Sequence, residues 1–555
     1  LILFFILLSS ALMADEHSNE APSFKVQGIV TDEKGEGLPG ASVWVKGTVV
    51  GAGTNAKGEF SFKLSSKNRC VLRVSFTGYE PQEREVTPGG DSLYRFVLTP
   101  SNNALNEVVI TGTRTLKPLK DVPVLTRVIS SEDIAQVNPL DLQSLLEYEM
   151  PGLQFGLAHG SGLPELKFQG SAGGYVLFMI DGERVAGEGS SNNIDYNLID
   201  MDNVERIEIV KGPMSTLYGS QAMGGVVNII TKDANRPFTG NVSVRYGNND
   251  ESKYSLSLGA KQGRFSALTS LSYRKRDAYA LKDKEGQIEY SYYKDIYGRD
   301  SVVADTSEKG MSSVNGFEIW QANQKLSYTF NENFRISLNG TYYNNDVLEY
   351  VEQKEQDRFS NYSINPRVYY AINDSHILDF SYVFENYEKR YVYTTSLPSK
   401  KVFGDLTNTV RLNYTGYIHE KHTLTAGIEV NTQKLQHYWF DNGSGKKFDA
   451  QTYVLYLQED YKVSDSFSVL AGVRSDCHSK YGFHASPKIS LMYKYGVLTL
   501  RGGYGMGFRI PSLKELHSEY DMGGQGFFMI YGNEDLEPEI SHQGTFSAEV
   551  TKGIF

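Results

Sequence analysis

Residues 203–232 read NVERIEIVKGPMSTLYGSQAMGGVVNIITK, and this stretch decides the fold. It begins with a mainly apolar strand at 204–210, passes through a glycine-rich turn, and ends with a second apolar run at 226–230. Glycines such as Gly224 and Gly225 allow tight turns and a close approach of one backbone to another. The stretch therefore predicts two strands of one buried sheet, joined by a compact turn.

This stretch closely resembles the end of the plug domain of TonB-dependent outer-membrane receptors, almost without gaps. YVLFMIDGERV at 175–185 resembles the central strand and turn of that plug, and LLEYEMPGLQF at 145–155 resembles the entry to it. Leucines at near-helical spacing between Pro139 and Pro151 predict a short amphipathic helix. We therefore expect residues 116–236 to form an α/β plug.

Residues 237–555 alternate between apolar and polar residues, the period of strands with two unlike faces. Roughly fifteen such runs are near the ~9–11 residues that cross a bilayer in a tilted strand. A soluble β-sandwich also alternates, but the number of strands and the contrast between short turns and long loops favour a transmembrane antiparallel β-barrel. The resemblance implies about 22 strands, so we expect the printed sequence to end before the barrel does.

Residues 24–100 alternate in shorter runs broken by glycine, which predicts a small immunoglobulin-like β-sandwich. VQGIVTDEKGEGLPGASVWVKGT and GTNAKGEFSF resemble the carboxypeptidase-regulatory-like domain, an accessory fold without peptidase chemistry. Residues 1–14 combine an apolar run with small residues, and they predict a secretory signal peptide whose start is missing. The expected fold class is therefore an all-β-dominated multidomain protein.

Residues 101–115 form a predicted linker that encloses one apolar patch. The patch lies where TonB-dependent receptors keep the TonB box, so the resemblance implies that it pairs with TonB, the energy-coupling protein. Its residues are Glu107, Val108, Val109, Ile110, Thr111 and Gly112. An extended β-branched run can join the edge of a partner's sheet through main-chain hydrogen bonds. Three asparagines just before the patch predict that it is loosely tethered.

Two segments near the end of the sequence, GYGMGFRIPSLKEL and YGNEDLEPE, resemble the paired FRAP and NPNL boxes of haem receptors and their relatives. The residues that match are Phe508, Arg509, Pro511, Asn533 and Leu536. Ile510, Glu534 and Asp535 depart from the pattern, so the boxes support the superfamily more firmly than any one cargo. Counting strands and turns places residues 510–538 on the extracellular side, where cargo would arrive.

Two histidines motivate a haem hypothesis, because a neutral imidazole nitrogen is a good ligand for haem iron. His517 lies between the two boxes, and His159 lies in a stretch that resembles an outward-facing plug loop. A solvated loop histidine is the competing interpretation of each. We expect an iron complex as the cargo, either haem or a ferric siderophore. Cobalamin, an oligosaccharide, or a surface-binding barrel without transport are the alternatives.

The formal net charge of −11 and the lack of a basic run argue against a nucleic-acid partner. The motifs H-E-x-x-H, G-x-S-x-G and G-x-x-x-x-G-K-[ST] are missing, so we expect no catalytic residue and no enzyme activity. We also expect no resident cofactor or metal. The predicted location is the outer membrane of a Gram-negative bacterium. The expected partners are TonB, outer-membrane lipids and an extracellular iron complex, and a surface lipoprotein is left open.

Overall fold

The chain divides into two compact units, Leu1–Pro100 and Ser101–Phe555. The computed structural model describes residues 24–46, 48, 50–55, 57–64, 69–76, 79, 82–87, 93–99, 108–150, 153–157, 164–168, 171–172, 175–187, 194–280, 289–294, 300–305, 313–350, 355–393, 397–419, 421–522 and 528–551.

The first unit is a β-sandwich, as predicted. Its strands are β1 (Phe24–Thr31), β2 (Ser42–Val45), β3 (Gly51–Gly53), β4 (Glu59–Leu64), β5 (Cys70–Ser75), β6 (Gln82–Val86) and β7 (Tyr94–Val97). One sheet has the order β4-β1-β7 and the other β3-β2-β5-β6. β4 alternates strictly between exposed and buried residues, and its inward side chains pack with Val26, Val74 and Phe96. The period of two in the sequence thus supplies the core of this unit.

The second unit begins with a small hairpin and the plug. The strands here are β8 (Val108–Val109), β9 (Lys117–Pro118), β10 (Thr126–Ile129), β11 (Leu153–Leu157), β12 (Pro164–Phe168), β13 (Ser171–Ala172), β14 (Val176–Ile180), β15 (Glu183–Arg184), β16 (Val204–Lys211) and β17 (Gly225–Thr231). The helices are α1 (Ser131–Val137), α2 (Leu142–Glu149) and α3 (Ser215–Tyr218), and short 3-10 turns span Leu119–Asp121, Tyr196–Leu198 and Met201–Asn203. The central sheet has the order β10-β16-β17-β14-β15, and β11-β12-β13 form a smaller one.

The two strands predicted from the opening stretch are β16 and β17, which pair antiparallel. The predicted helix is α2, and it begins after Asp141, whose side chain accepts a hydrogen bond from the backbone of Ser144 at 2.9 Å. This cap satisfies a backbone donor that would otherwise lack a partner at the helix start. The leucines of α2 then pack against Phe178 and Ile207 in the plug core. The α/β plug therefore follows from local signals that agree with one another.

The rest of the second unit is dominated by one large antiparallel sheet. Its fourteen strands, in spatial order, are β18 (Thr239–Tyr246), β19 (Ser252–Gln262), β20 (Phe265–Arg276), β25 (Gly316–Asn331), β26 (Phe334–Leu348), β27 (Glu355–Asn373), β28 (His376–Tyr393), β29 (Lys400–Tyr417), β30 (His422–Gln436), β31 (Lys447–Lys462), β32 (Phe467–His478), β33 (Gly482–Tyr495), β34 (Leu498–Arg509) and β37 (Glu539–Val550). The loops carry β21 (Tyr279–Ala280), β22 (Glu289–Lys294), β23 (Asp300–Asp305), β24 (Ser313–Val314), α4 (Leu513–His517), β35 (Glu519–Asp521) and β36 (Met529–Tyr531), and a 3-10 turn spans Asp441–Gly443.

The two ends of this sheet differ in their connections. At one end, the short-turn end, turns of two to four residues join the strands, as at 332–333 and 496–497. At the other end, the long-loop end, the connections include residues 277–315 and 510–538. This asymmetry is typical of outer-membrane barrels, whose longer loops face outward. It agrees with the extracellular placement predicted for residues 510–538.

The two faces of the sheet also differ. Apolar residues such as Val242, Tyr246 and Leu455 are exposed on one face. Buried charged groups such as Lys253, which contacts Asp200 of the plug at 2.6 Å, lie on the other. An exposed apolar face is stable where lipid, not water, surrounds it. Among the helices that the structure describes, none has the length and apolar character needed to cross a membrane.

Candidate functional site

The described part of the predicted TonB box, residues 108–112, lies packed inside the second unit. β8 pairs antiparallel with β9, and Val109 is fully buried in a cluster that includes Val122 and Leu177. Burial of this side chain outweighs the looseness that the preceding asparagines predict. The expectation of a loosely tethered segment is therefore wrong for residues 108–112. Glu107 lies outside the described residues.

Thr111 is held to the plug by four polar contacts. Its backbone N–H and its hydroxyl both donate to Oε2 of Glu208, at 2.8 and 2.7 Å. Its hydroxyl also accepts from the amide of Asn228, and its carbonyl accepts from the hydroxyl of Tyr218, both at 2.9 Å. Burial raises the pKa of Tyr218 to about 12, so this hydroxyl stays protonated and can donate.

The buried carboxylate of Glu208 is stabilised by the hydrogen bonds that it accepts from the segment 110–111. Its side chain is fully buried in β16, and it also accepts from the backbone of Ile110 at 3.0 Å and from Arg206 at 2.8 Å. A buried carboxylate needs donors, because its desolvation is costly when it is left alone. Residues 110 and 111 therefore complete the hydrogen bonding of a plug strand.

The residues that follow the box are held against the inner face of the large sheet. The guanidinium of Arg114 lies 4.8 Å from the ring centre of Tyr218 and 4.7 Å from that of Tyr456. Lys117 forms an ion pair with Asp460 at 2.6 Å. Both contacts on the sheet fall on β31, toward its short-turn end. The box and its C-terminal neighbours are thus fixed at the short-turn end of the molecule.

An ion network joins the plug to the inner face of the sheet. Arg474 contacts Asp476 at 2.9 Å and Glu429 at 3.5 Å. Arg411 contacts Glu429 at 2.7 Å and reaches Glu183 of the plug at 2.9 Å. The side chains of Arg474 and Asp476 are each only 3% exposed, so each charge depends on its partners.

The residues of the predicted FRAP and NPNL boxes make contacts that hold the loop at 510–538 in place. Arg509 contacts the carboxylate of Glu515 at 3.0 Å and that of Glu539 at 3.0 Å. The carbonyl of Glu515 accepts a hydrogen bond from the backbone of Asn533 at 2.9 Å. The two predicted boxes therefore meet through α4, and Glu515 is the residue that connects them.

The other residues of the FRAP and NPNL boxes pack against neighbouring parts of the loop and sheet or lie at the surface. Phe508 is buried and stacks on His484 with a ring distance of 5.3 Å. Pro511 is also buried, just before α4. Leu536 is exposed near the end of the loop. These positions suit the shaping of the long loop more than direct contact with a cargo.

His517 ends α4 at the long-loop end, where the sequence places it. Its ring stacks in parallel on Phe448 at 3.8 Å, and its Nδ1 lies 2.9 Å from the carboxylate of Glu534. A carboxylate can only accept, so Nδ1 carries the proton and Nε2 carries the lone pair. Burial lowers the pKa of His517, which favours the neutral imidazole. His159, the other histidine of the haem hypothesis, lies outside the described residues.

An aromatic cluster with two lysines lies beside this loop, and we call it the outer cluster. It consists of Tyr438, Trp439, Tyr520, Lys389 and Lys514. The Trp439 and Tyr520 rings stack at 6.1 Å, Lys514 lies 3.8 Å from the centre of the Trp439 ring, and Lys389 lies 5.8 Å from that of Tyr438. None of these residues was predicted as a site from the sequence, although Trp439 is one of only three tryptophans in the chain.

His437, beneath the outer cluster, predicts a pH dependence of stability. It is 1% exposed, and its Nδ1 accepts from the backbone of Trp439 at 3.0 Å. Burial, assisted by the charges of Lys514 and Lys389, lowers the pKa of His437 to about 2. The unfolded chain therefore binds this proton first as the pH falls, and the folded state loses stability below the ordinary pKa of about 6.5.

We expect the free energy of unfolding to fall by about 2 kcal/mol between pH 7.5 and pH 5 because of His437 alone. Denaturant titrations of the detergent-solubilised protein at several pH values measure this slope. The variant His437→Phe cannot take up the proton and should show a flatter profile. An equally steep profile in that variant would assign the pH dependence to other groups.

Glu208 and Arg474 were also missed as site residues. Glu208 lies between the apolar residues Ile207 and Ile209 of β16, and a charged residue at that position could have indicated a buried partner. Arg474 lies on the polar face of the alternating strand β32, and its position in the sequence does not distinguish it from other residues of that face. Its partners come from β30 and β32, and the sequence does not show which strands converge on the plug.

Three family models match the chain. Residues 118–226 match the TonB-dependent receptor plug domain, residues 282–555 match the TonB-dependent receptor-like β-barrel, and residues 26–110 match the CarboxypepD_reg-like domain. The first two matches fall on the plug and on the large sheet, and the third covers the first unit and continues to residue 110. They agree with the two resemblances seen in the sequence.

Similar proteins are known by sequence and by structure. The iron-regulated outer membrane virulence protein of Vibrio cholerae is 26% identical over 459 residues, which cover 78% of this chain and 64% of that protein. The vitamin B12 transporter of Vibrio vulnificus is 25% identical over 451 residues, which cover 79% of this chain and 68% of the transporter. The chain thus spans about 64% of the first relative's length.

A solved structure with the same fold is a mutant of the ferric enterobactin receptor from Pseudomonas aeruginosa. It superposes with a TM-score of 0.64 at 19% identity and covers 77% of this chain and 69% of that receptor. At this low identity, the superposition shows a shared fold and nothing more specific. The plug held within a large antiparallel sheet is therefore an arrangement common to both proteins.

Proposed function

Because this chain belongs to the TonB-dependent receptors of the outer membrane, we propose that it actively imports an iron complex. The cargo binds at the long-loop end, TonB pairs with residues 107–112, and a pull on that segment rearranges the plug. The iron complex is cargo, and we propose no resident cofactor. The exposed apolar face of the sheet contacts the outer-membrane lipids.

The position of Thr111 carries this proposal. A segment with the composition of a TonB box is held against plug strand β16 by hydrogen bonds to Glu208 at 2.7 and 2.8 Å. Main-chain groups engaged in this way can be transferred to the edge of a partner's sheet. Extracting the segment would also remove three of the four described donors to the buried carboxylate of Glu208 and leave only Arg206, and the plug would have to respond. Mechanical work at one end can thus change the structure of the plug.

The outer cluster indicates the chemistry of the cargo. Aromatic faces bind flat ring systems, and a lysine such as Lys514 adds a favourable interaction with anionic oxygens. Lys389 is buried and already pairs with Asp357 at 3.0 Å, so the charge offered to a cargo is that of Lys514. An iron complex with anionic, aromatic ligand groups would satisfy both. Relatives of this chain are named as an iron-regulated virulence protein and as ferric enterobactin receptors. We therefore propose a ferric siderophore of the aromatic, anionic kind as the first candidate.

Uptake by cells tests this proposal. The receptor is expressed in a host that lacks its own iron-complex receptors, and accumulation of radiolabelled ferric enterobactin is measured with and without a protonophore. We expect accumulation that the protonophore abolishes. Accumulation that persists under the protonophore would contradict active transport. Absence of both binding and uptake would reject this cargo.

Binding variants test the role of the outer cluster in the same system. Lys514→Gln removes a charge beside Trp439 and should weaken ferric enterobactin binding about tenfold, the loss expected for one charge-assisted contact. Quenching of tryptophan fluorescence in the purified receptor measures this affinity. Lys400→Gln, at an exposed lysine of the same end, is the matched control. Equal affinities for the two variants would place the cargo elsewhere.

Haem is the second candidate, favoured by the state of His517. A carboxylate that orients Nδ1–H leaves Nε2 able to bind iron, and such pairing is common for metal-binding histidines. Haemin added to the receptor should then shift its Soret band, and His517→Ala and His159→Ala should reduce the shift. A Soret shift that stays the same in both variants would reject haem binding by these two histidines. Cobalamin, suggested by the B12 relative, and oligosaccharides serve as competitors in the uptake assay.

A further inference from the structure

The turn at residues 218–221 touches both the TonB box and the long loop. At one side, the hydroxyl of Tyr218 donates to the carbonyl of Thr111 at 2.9 Å. At the other side, the hydroxyl of Ser220 accepts from the backbone N–H of Ile510 at 3.1 Å. Ile510 begins the loop that carries α4 and follows Arg509 directly. Two residues of one turn therefore contact both the predicted TonB box and the first residue of the long loop.

The turn is held as a single rigid piece. Arg184 donates to the carbonyls of Tyr218 and Ser220 at 3.0 and 2.9 Å and to the side chain of Gln221 at 2.9 Å. One planar guanidinium that binds three acceptors fixes their relative positions. A displacement of Ser220 should therefore also displace Tyr218, because both carbonyls are bound to the same guanidinium.

The backbone of the turn is also strained and closely packed. Gln221 has φ of +76°, a conformation that residues with side chains rarely adopt. Gly219 has φ of +76°, and a Cβ there would lie 2.7 Å from the guanidinium of Arg474. Strain of this kind persists only where the surroundings impose it, and it is common in elements that change conformation. Release of either contact should allow the turn to relax.

We infer that residues 218–221 form a positioning element that couples the long loop at Ile510 to the TonB box at Thr111. A shift of the loop alters the hydrogen bond between Ile510 and Ser220 and thereby moves the turn. The hydrogen bond from Tyr218 to Thr111 of the TonB box then weakens. The coupling is reciprocal, so a pull on the box also loosens the loop. This inference rests on the proposed function, because it assigns a route for the signal between cargo and energy coupling.

Cysteine accessibility in the full chain tests the coupling without cargo or TonB. Cys70→Ser and Cys477→Ser remove the native thiols, Val108→Cys places one thiol in the box, and the rate of maleimide labelling is measured in outer-membrane vesicles. Tyr218→Phe should raise this rate about fivefold, because it deletes one hydrogen bond to the segment. Ser220→Ala should raise it about threefold, although Ser220 has no described contact with the box.

Two matched variants separate coupling from general loosening. Ser220→Thr keeps the hydroxyl and should restore the slow rate. Ser255→Ala removes another hydrogen bond between sheet and plug, to Asp202 at 2.8 Å, and should leave the rate unchanged. A wild-type rate in Ser220→Ala, or an equal increase in Ser255→Ala, would overturn the inference. Gel mobility before and after heating checks that each variant is assembled.

These outcomes are distinct from a failure of the proposed function. The labelling rate depends only on the resting receptor, so a chain that imports no iron could still show the coupling. Conversely, uptake that is normal in Ser220→Ala together with a wild-type labelling rate would reject this route while leaving active import intact.

Discussion

Deletion of residues 107–112 is expected to reduce uptake of the iron complex to the level seen with a protonophore. The deletion removes the main-chain groups that would join the sheet of TonB, and no other described segment at the short-turn end offers a β-branched strand in this position. Cargo binding at the long-loop end should change by less than about threefold, because no described contact joins the outer cluster to residues 108–112. Uptake and surface binding of radiolabelled ferric enterobactin measure the two effects side by side.

The matched control deletes residues 101–106. This change shortens the chain by the same number of residues but keeps the box, so uptake should persist. The deletion of residues 107–112 also leaves Glu208 without its box donors, so heat-dependent gel mobility must show that the variant is assembled. A second variant combines the deletion of residues 107–112 with Glu208→Gln. The neutral side chain removes the buried charge that the deletion would leave without its donors, so this variant should assemble more readily. Wild-type uptake in the assembled deletion variant would rule out residues 107–112 as the energy-coupling segment.

Arg474→Ala is expected to lower the free energy of unfolding by about 3–5 kcal/mol, the usual cost of removing one partner from a buried ion pair. Asp476 is nearly inaccessible to water, and Glu429 also loses a partner. The substitution further removes a hydrogen bond to the carbonyl of Leu217 at 3.2 Å, which joins the sheet to the plug. Guanidinium titration in detergent, followed by circular dichroism, measures the change.

Two companion variants identify the cause. Arg335→Ala removes an exposed arginine that lies 5.2 Å from the ring of Tyr369, and it should cost no more than about 1 kcal/mol. The double variant Arg474→Ala with Asp476→Asn should recover part of the loss, because it removes the unpaired buried charge. If Arg474→Ala and Arg335→Ala unfold at the same midpoint, the ion network is not a source of stability.

The fold was predictable because its signals are local. The alternation of Glu59–Leu64, the cap at Asp141 and the paired apolar runs of β16 and β17 each depend on a few neighbouring residues, and all agree with one architecture. The fourteen strands of the large sheet follow from the same period of two. The order of antiparallel strands then follows the order of the chain, apart from the small strands in the loops.

The candidate site was only partly predictable. The position of the TonB box was predicted from its composition and its place before the plug, and it stays a prediction. Residues 510–538, predicted to be extracellular, form one of the long connections of the large sheet. The prediction that the TonB box is loosely tethered was wrong for residues 108–112. The asparagines before the box do not reveal that Glu208, almost a hundred residues later, accepts hydrogen bonds from Ile110 and Thr111. His517 was named as a cargo ligand, but its stacking on Phe448 and its pairing with Glu534 depend on a neighbouring strand and on loop closure.

The sequence by itself determined the alternating strands, the plug and the N-terminal sandwich, since periodicity and turn residues act over short distances, and it predicted where the energy-coupling segment lies. Only the tertiary structure decided which residues hold that segment and what surrounds the long loop. Thr111, Glu208 and Tyr218 meet because two plug strands and a turn converge, and Trp439 and Lys514 meet because two loops fold together. Contacts of this kind depend on which elements become neighbours in space, and no local pattern encodes that choice.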